Sequence, residues 1–371
     1  MAIPIEISLQ AKLFEGRNPD QNHLNTFKIE KIEQVGILVN KARLMRKTKP
    51  VLQEVKGESK SYFINGISTG EIIGNRFKVL EILDSGATGN VHKAIDMQNG
   101  NLVALKSLRE GVHKNTFIRR FIREAGALSV LNHKNIVGIE DLGWDNNKPY
   151  IAMEYVTGGN FKKLITMHHA GQVNLNTMLH LLADLCDGLN HLHDRPNSII
   201  HRDLKPENIL ISNETSEDYF PKRNVLKIAD LGLALIYGNT LTTLTYMDRP
   251  IMGTPNYSPI PDHYYGYALD NRSDLYSLGI IIYEVLMKKL PFTSPDNDLN
   301  TLLYKHLHEK PDFSSISIEA PARLIALTEK LLAKKPEDRY QSAKEVALEL
   351  RDIATPRFSI PIPQIIQSMA G

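Results

Sequence analysis

The sequence predicts an α+β fold in two lobes, a small lobe of mostly antiparallel β-strands followed by a larger lobe that is mainly helical. Two observations support this class. Between Phe77 and Tyr155, short runs with strand character are separated by turn signals, whereas after Gly158-Gly159 the apolar residues recur at helical spacing. The change of pattern predicts a hinge near Glu154–Gly158.

The same pattern divides the chain into four predicted segments. They are an N-terminal extension over residues 1–75, the small lobe over 76–157, the large lobe over 158–355 and a tail over 356–371. In the small lobe we predict strands at Phe77–Leu83, Val91–Ile95, Leu102–Ser107, Ile136–Leu142 and Tyr150–Tyr155, and a helix at Phe117–Leu131. In the large lobe we predict helices at Leu175–His193, Ser273–Met287 and Ala322–Ala333.

The two ends of the chain do not follow the pattern of the lobes. Apolar residues over Phe27–Met45 recur every three or four positions and predict a helix, and Asn65-Gly66 predicts a hairpin. The basic run Lys41–Lys49 fits either a solvated face or contact with an acidic partner or a membrane. At the other end, Ile360-Pro361-Ile362-Pro363 predicts an extended tail.

Composition sets bounds on partners and location. The 371 residues carry 44 basic and 42 acidic side chains, so a net charge of +2 gives no argument for a nucleic-acid partner, and we expect none. The single cysteine, Cys186, fits a reducing compartment such as the cytoplasm, and we expect it to be a small buried residue. No secretory signal and no apolar run of about 20 residues is visible, so we expect no transmembrane segment. Delivery into a host cell by another route stays open.

The eight residues from His201 to Asn208 carry the strongest chemical signal in the chain. Asp203 can accept a hydroxyl proton, and Asn208, five positions later, can hold a metal ion. Lys205 lies between them and can face a transferred phosphate. This spacing suits phosphoryl transfer from ATP, provided that the other parts of such a site occur elsewhere in the right order.

Two of those parts precede the octet. The glycine-bearing turn at Asp84–Val91 lies between two predicted strands, and its glycines would let a hairpin cover the phosphates of a nucleotide. By itself the turn is more typical of an ordinary hairpin. It is not typical of a dinucleotide-binding loop, because a helix follows such a loop and a strand follows here. Lys106 is predicted at the end of a buried strand, where an ammonium group needs an anion. The phosphates of ATP and the carboxylate of Glu124, on the following helix, would supply two.

Taken in order, the glycine loop, strand lysine, helix glutamate, hinge and catalytic loop resemble a eukaryotic-type protein kinase domain from about Phe77 to Asp352, in a style similar to bacterial members. The resemblance implies a bilobal protein kinase-like fold that uses ATP with Mg²⁺, or alternatively Mn²⁺. It implies that Asp203 is the catalytic base, that Lys106 pairs with Glu124 and holds phosphates, and that Asn208 and Asp230 bind metal. The nucleotide-binding residues that it implies are Leu83, Gly86, Gly89, Val91, Ala104, Lys106, Met153, Glu154, Val156 and Leu210.

The resemblance also implies the substrate. Lys205 followed by Pro206 resembles the serine/threonine subfamily, and Thr254 matches the threonine that contacts the catalytic aspartate and lysine there. The implied substrate is a protein with serine or threonine hydroxyls, with autophosphorylation as a second outcome. Arg202 before the base implies control by phosphorylation of the activation loop, and an unmodified threonine-rich segment is the alternative. The candidate positions are Thr240, Thr242, Thr243 and Thr245.

Three positions depart from the family pattern. Asp84 stands where the first glycine is expected, Leu231 replaces the commoner phenylalanine of the metal-binding motif, and Asp262 replaces a glutamate. Because aspartate is one methylene shorter, we expect its pair with Arg339 to be looser or shifted. Asp274 matches the helix residue that braces the catalytic loop.

The sequence therefore predicts an active serine/threonine protein kinase. The departures leave one alternative, a pseudokinase that serves as a binding or scaffolding module without turnover. A small-molecule phosphotransferase with the same fold is disfavoured by Lys205, Thr254 and the activation segment. The sequence does not predict the substrate consensus or the oligomeric state.

Overall fold

The computed structural model describes residues 63–64, 67–85, 89–108, 131–146, 148–194, 199–213, 224–231, 235–236, 255–267, 269–294, 298–316 and 320–354. Their contacts form two compact units, one with the described residues up to 132 and 137–155, the other with 133–136 and those from 156 onward. Within these ranges, no helix has the length and apolar character needed to cross a membrane. The helix predicted over 117–131 lies almost entirely outside the described residues, as do the extension up to 62 and the tail from 355.

The described part of the first unit consists of β-strands and turns. A hairpin of β1 and β2 precedes an antiparallel sheet of six strands in the order β3-β4-β5-β6-β8-β7, and the pairing Ile64↔Ile67 is the one that Asn65-Gly66 predicts. The strands are β1 Phe63–Ile64, β2 Ile67–Ser68, β3 Ile72–Ile73, β4 Phe77–Ser85, β5 Gly89–Asp96, β6 Leu102–Leu108, β7 Ile139–Asp145 and β8 Lys148–Glu154.

Strand β7 begins three residues later than predicted, and the contacts of the preceding residues explain why. Ile136 itself belongs to the second unit, where it forms a parallel bridge with Ile228. The side-chain amide of Asn135 donates to the carbonyl of Leu226 at 2.8 Å, and the Ile228 N–H donates to the carbonyl of Asn135 at 2.8 Å. The apolar run at Ile136 thus has the sequence pattern of a strand start, but this segment contacts Leu226 and Ile228 instead of joining β7.

The six-stranded sheet curls around its own core. One face carries the buried side chains Ile73, Phe77, Val79, Ala94, Val103, Leu105, Tyr150 and Ala152. The N–H of Gly74, after β3, donates to the Asp145 carboxylate at the end of β7 at 3.0 Å. The Phe77 and Tyr150 rings meet edge to face with centroids 5.6 Å apart. Contacts between strands near opposite edges of the sheet show that the core is enclosed by curvature rather than by a second layer of described residues.

Arg76, in the turn before β4, stabilises the curvature of the sheet by contacting β5 and β7. Its Nε and Nη2 donate to the two carboxylate oxygens of Asp96 at 2.8 and 2.6 Å, and its Nη1 contacts Asp141 on β7. The hydrogen bonds to Asp96 raise the pKa of Arg76, so the guanidinium stays charged. Both Arg76 and Asp96 are buried, and a buried carboxylate is stable only with such a partner.

We predict that Arg76→Leu lowers the free energy of unfolding of the first unit by about 3 kcal/mol or more, because Asp96 would stay buried without its cation. The single tryptophan, Trp144, lies on β7, so urea unfolding followed by its fluorescence reports on this unit. The control is Glu81→Gln, because the carboxylate of Glu81 is largely exposed in its pair with Lys93 and should contribute less than about 1 kcal/mol. Equal losses in the two variants would contradict the prediction.

The second unit is mainly helical, which with the first unit confirms the predicted α+β class. The helix predicted at Leu175–His193 has those bounds in the structure, and the one predicted from Ser273 begins two residues earlier. The helices are α1 Phe161–His169, α2 Leu175–His193, α3 Ile260–Tyr264, α4 Asn271–Met287, α5 Leu299–His308, α6 Ala322–Leu331 and α7 Ala343–Ile353. The strands are β9 Ile199–Ile200, β10 Ile209–Ser212, β11 Val225–Ile228 and β12 Leu235–Ile236.

Helix α4 is the central element of the second unit. Every residue from Ser273 to Met287 is buried, so this helix has no solvent face. Asp270 accepts the Arg272 N–H at 2.9 Å and caps the start, while Lys288 ends the helix with a left-handed φ of 58°. Cys186 on α2 is also buried, which raises the pKa of its thiol and confirms the expected structural role.

A buried imidazole joins α4 to α5. His306 is fully buried, with its Nδ1 3.0 Å from the Tyr276 hydroxyl and its ring 4.8 Å from that of Phe292. Burial, and then the charge of Lys334, lower the pKa of His306 to about 3. In the unfolded chain, histidine has a pKa of about 6.5. Between that pH and a pH of about 3, the unfolded chain therefore binds a proton at His306 that the folded chain does not bind.

We predict that the stability of the second unit falls as pH drops below about 6.5, by up to about 1.4 kcal/mol per pH unit from His306 alone. Above that pH the imidazole is neutral in both states, so its effect on pH dependence vanishes. His306→Phe should flatten the stability curve between pH values of about 6.5 and 4, measured by urea unfolding with circular dichroism. His308→Phe, at an exposed position on the same helix, should leave the curve of the wild type in place.

Candidate active site

Four of the predicted nucleotide residues of the first unit, Val91, Ala104, Lys106 and Met153, share one face of the sheet. Lys106 on β6 pairs in register with Val91 on β5 and Ile151 on β8, and Ala104 pairs with Met153. Register partners, and residues two positions apart, point to the same side of a sheet. These side chains therefore lie opposite the enclosed core. Lys106 is half-buried in the interior of β6, not at its end as predicted, because the strand continues for two more residues.

The remaining described residues of this set lie at strand ends and turns. Leu83 is exposed on β4, and Gly89 begins β5 and is buried. Glu154 ends β8, where its carboxylate accepts the Gly138 N–H at 3.2 Å and its own N–H donates to the Gly138 carbonyl at 2.9 Å. Asp84, at the first position of the glycine loop, uses one carboxylate oxygen to accept the Ser85 N–H at 2.8 Å.

In the second unit the polar groups of the octet converge on one carboxylate. The Lys205 Nζ lies 3.0 Å from Oδ2 of Asp203. The side-chain amide of Asn208 donates to the same oxygen at 3.1 Å and to the Asp203 carbonyl at 2.8 Å. The 3-10 turn Pro206–Asn208 reverses the chain and brings Asn208 back to Asp203. An amine, an amide and a carboxylate are thus held together at hydrogen-bond distance.

His201 connects this loop to the strand that precedes Asp230. Its Nδ1 accepts the Asp203 N–H at 3.3 Å, so its Nε2 carries the proton and donates to the Ala229 carbonyl at 3.0 Å. The Ala229 N–H in turn donates to the carbonyl of Asn208 at 2.9 Å. The His201 imidazole therefore links Asp203 to the residue before Asp230.

The backbone is unusual on both sides of this connection. Arg202 has a φ of 71° and Asp230 has a φ of 60°. Residues other than glycine rarely adopt this left-handed backbone conformation. Residues held in this region cost of order 1–3 kcal/mol and cluster at functional sites. Leu231, which replaces phenylalanine in the metal-binding motif, is only 1% exposed and fills a packed position.

Asp274 on α4 stabilises the catalytic loop through hydrogen bonds to its backbone. Its carboxylate accepts the N–H of His201 at 2.8 Å, the N–H of Arg202 at 2.9 Å and Nε2–H of His193 at 2.8 Å. Burial alone would raise the pKa of Asp274, but the His193 hydrogen bond, His201 and the Arg202 N–H bring it below its ordinary value. The carboxylate therefore stays ionised although it is fully buried.

Asp262, at the end of the activation segment, forms a tight pair with Arg339, and the expectation of a looser or shifted pair is wrong. The guanidinium donates from Nη2 to Oδ1 at 2.5 Å and from Nη1 to Oδ2 at 3.0 Å, with both side chains at most 1% exposed. Ser273 also donates to Asp262 Oδ2 at 2.7 Å. Because α3 carries Asp262 into the interior, the shorter side chain still reaches its partner.

The other predicted residues differ in how far the structure can place them. Val156 follows β8, and Leu210 is half-buried on β10, in register with Lys227. Gly86, Glu124 and Thr254 lie outside the described residues, and their roles stay predictions. The candidate phosphorylation positions Thr240, Thr242, Thr243 and Thr245 also lie outside them.

Sequence reasoning missed His193. It lies in the last turn of α2, far in sequence from Asp274, and a histidine near the end of a helix is ordinary. The useful signal was its distance of eight residues from His201, which allows a short loop to return the chain to the same carboxylate. Spacing alone gave no reason to prefer this interpretation.

We predict that Asp274→Asn lowers the free energy of unfolding of the second unit by about 3 kcal/mol, because an amide cannot accept all of the donors around it. Since the native pKa of Asp274 is lowered, its contribution is complete above about pH 4 and is lost as pH falls further. The difference between variant and wild type should therefore shrink below about pH 4 in urea unfolding.

The control is Asp270→Asn on the same helix, because asparagine caps a helix start as well as aspartate does. The pair of Asp270 with Arg272 is partly exposed, so this change should cost less than about 1 kcal/mol. A loss for Asp274→Asn as small as that of the control would show that the buried carboxylate does not brace the loop.

The amino-acid sequence that forms this site is similar to sequences of known protein kinases. A family model described as "Protein kinase domain" matches residues 77–349. Serine/threonine-protein kinase PknB of Mycobacterium tuberculosis is 36% identical over 290 residues, which are 76% of this chain and 44% of PknB. PrkC of Bacillus subtilis is 32% identical over 284 residues, with 76% of this chain and 41% of PrkC covered. The PknB of Mycobacterium leprae is 35% identical over 295 residues, with coverages of 76% and 44%.

The chain thus spans less than half the length of these curated relatives, between 41% and 44% of it. The family match, by contrast, covers most of the chain. Members of this family use ATP as a substrate together with a divalent metal ion. The chain belongs to the protein kinase domain family, as a bacterial-style member of the eukaryotic-type serine/threonine kinases, and the predicted resemblance is confirmed.

Proposed function

We propose that this chain transfers the γ-phosphoryl group of Mg²⁺-bound ATP to serine and threonine hydroxyls of proteins, its own among them. The observation that carries the proposal is the convergence of Lys205 and Asn208 on the Asp203 carboxylate, at 3.0 and 3.1 Å. This arrangement supplies a base, a positive charge and an oxygen ligand within one loop. Phosphoryl transfer needs positioning and charge neutralisation more than covalent chemistry, and these groups provide both.

In this mechanism Asp203 accepts the proton of the substrate hydroxyl as the hydroxyl oxygen attacks the γ-phosphorus of ATP, and the bond from that phosphorus to the β,γ-bridging oxygen breaks to release ADP. Lys205 faces the transferred group and offsets the negative charge that spreads over its oxygens. The His201 and Asp274 hydrogen bonds hold the loop in place, so the base needs little reorganisation before transfer. Thr254 would contact Asp203 and Lys205, as the resemblance implies.

The donor atoms fit a hard cation. The amide nitrogen of Asn208 donates twice to Asp203, so the amide oxygen is the end of the side chain suited to ligate a metal. Asp230 supplies an exposed carboxylate. No group of three or more His, Cys, Asp or Glu side chains suited to metal is found among the described residues, and Mg²⁺ commonly takes one or two protein ligands with substrate phosphates and water. When bound, Mg²⁺ or Mn²⁺ would neutralise phosphate charge.

We propose roles for the nucleotide-binding residues that the resemblance implies. Lys106 would bind the α- and β-phosphates and pair with Glu124, and the backbone of Glu154 and Val156 would bind the adenine edge. The shared face of β5, β6 and β8 supplies the apolar surface that an adenine ring needs. The residues proposed for apolar and loop contacts are Leu83, Gly86, Gly89, Val91, Ala104, Met153 and Leu210.

The names of the relatives support protein serine and threonine as acceptors, because PknB and PrkC are both named serine/threonine-protein kinases. A module that binds without turnover is not favoured, since the described base, lysine and metal-ligand positions carry the required side chains. A cytoplasmic location stays a prediction.

We predict that Asp203→Asn lowers phosphoryl transfer by about 10²–10⁴-fold, the usual contribution of a general base. Transfer is measured from radiolabelled ATP to a generic protein acceptor and to the chain itself. The matched control is Asp352→Asn, because Asp352 is exposed on α7 and pairs only with exposed Arg323 among the contacts described.

Two results would count against the proposal in different ways. Wild-type rates in Asp203→Asn would remove Asp203 as the base while leaving the activity in place. No transfer by the wild type to any acceptor, in a sample whose far-ultraviolet circular dichroism is that of a folded α+β protein, would favour the binding module instead.

A further inference from the structure

A buried network of three side chains lies beside the catalytic loop and takes no part in the mechanism above. Glu284, near the end of α4, accepts the Tyr257 hydroxyl at 2.7 Å through Oε2, and its Oε1 is bound by the Lys162 ammonium group. Lys162, on α1, also lies 3.5 Å from the Tyr257 hydroxyl oxygen. The network therefore joins α1, α4 and the turn that follows Pro255.

The position of this network relates it to the substrate. Tyr257 lies three residues after Thr254, in the segment that ends at Asp262. The charge of Glu207 contributes to the raised pKa of Tyr257, so Glu207, between Lys205 and Asn208, lies within electrostatic range of it. Helix α1 packs against the 3-10 turn Pro206–Asn208. We therefore expect a protein segment whose hydroxyl reaches Asp203 to place its neighbouring residues near this network, because an extended chain advances only about 3.3 Å per residue.

The negative charge of Glu284 is neutralised within this chain by the ammonium group of Lys162. The side chain of Glu284 is 7% exposed, whereas that of Lys162 is 43% exposed. Burial, followed by the charge of Glu284 and its hydrogen bond, raises the pKa of Tyr257, so the phenol keeps its proton and donates it to the carboxylate. Glu284 thus has one neutral donor and one cation, and Lys162 lies between it and solvent.

We infer that Lys162 is a specificity-determining residue for the proposed protein substrate: by neutralising Glu284 it prevents this carboxylate from selecting a basic residue beside the phosphoacceptor hydroxyl. The inference rests on the proposed function and adds a substrate property to it. Without the ammonium group, Glu284 and exposed Glu207 present two carboxylates to a bound peptide. A guanidinium from the peptide can then bind where the lysine was.

A purely structural ion pair is the rival interpretation, and it predicts a different result. If the pair is only structural, removing Lys162 would change stability and alter kcat/KM by the same factor for all substrates. If Lys162 determines specificity, removing it would change the ratio of kcat/KM between substrates. The measurement is therefore the ratio of kcat/KM for peptides with arginine and with alanine at one flanking position, scanned along the peptide. A ratio measured within one variant does not depend on how much of that variant is folded.

Lys162→Ala should raise this arginine-to-alanine ratio by about tenfold or more at one or two positions, whereas the wild-type ratio stays near one. Lys163→Ala is the matched control, since it removes an exposed ammonium from the next residue of the same helix and should leave the wild-type profile. Lys162→Arg should restore that profile, because its charge also neutralises Glu284. In Lys162→Ala/Glu284→Gln the gain should disappear.

The reverse substitution keeps the test decisive if Lys162→Ala does not fold. Glu284→Gln leaves the Lys162 ammonium without its carboxylate and should raise the ratio for glutamate over alanine at the same positions. An unchanged profile in every active variant, with the wild type active, overturns the inference and leaves the proposed function standing. A wild type that transfers phosphate to no peptide and not to itself overturns both.

Discussion

The hydrogen bonds accepted by the buried carboxylate of Asp274 are the interactions on which the second unit most depends. The carboxylate is fully buried in the first turn of helix α4, yet it remains ionised because three donors surround it. Two of those donors are consecutive backbone N–H groups of the catalytic loop. Since a buried carboxylate without donors is costly, the loop and helix α4 stabilise each other.

The same physical solution occurs in each unit. Arg76 in the first unit and Arg339 in the second are buried, and each makes a two-pronged contact with a buried aspartate. The planar guanidinium suits this geometry, which an ammonium group cannot reproduce. In both cases the pair joins parts of the chain that are distant in sequence. The ion pairs therefore specify which segments meet, while the apolar residues around them contribute most of the burial.

Local patterns allowed much of the fold to be predicted, and long-range contacts explain the failures. The bounds of α2 could be predicted because its apolar spacing is regular, and Asn174 caps its start. Strand β7 was placed too early because periodicity cannot tell that Ile136 bridges to Ile228. Among the site residues, Asp203, Lys205 and Asn208 are close in sequence, so their convergence could be foreseen. The bond from His193 to Asp274 could not, because it links residues 81 positions apart.

The departures from the family pattern bear on whether the chain catalyses transfer or only binds. Asp262 was expected to weaken the end of the activation segment, but its pair with Arg339 is short and buried. Leu231 occupies a packed position and leaves Asp230, the metal-ligand candidate before it, exposed. One carboxylate oxygen of Asp84 is engaged by the next backbone N–H. Each change is thus accommodated by packing or a local hydrogen bond, and none removes a group from the set around Asp203. The argument for a binding-only module therefore loses its structural basis.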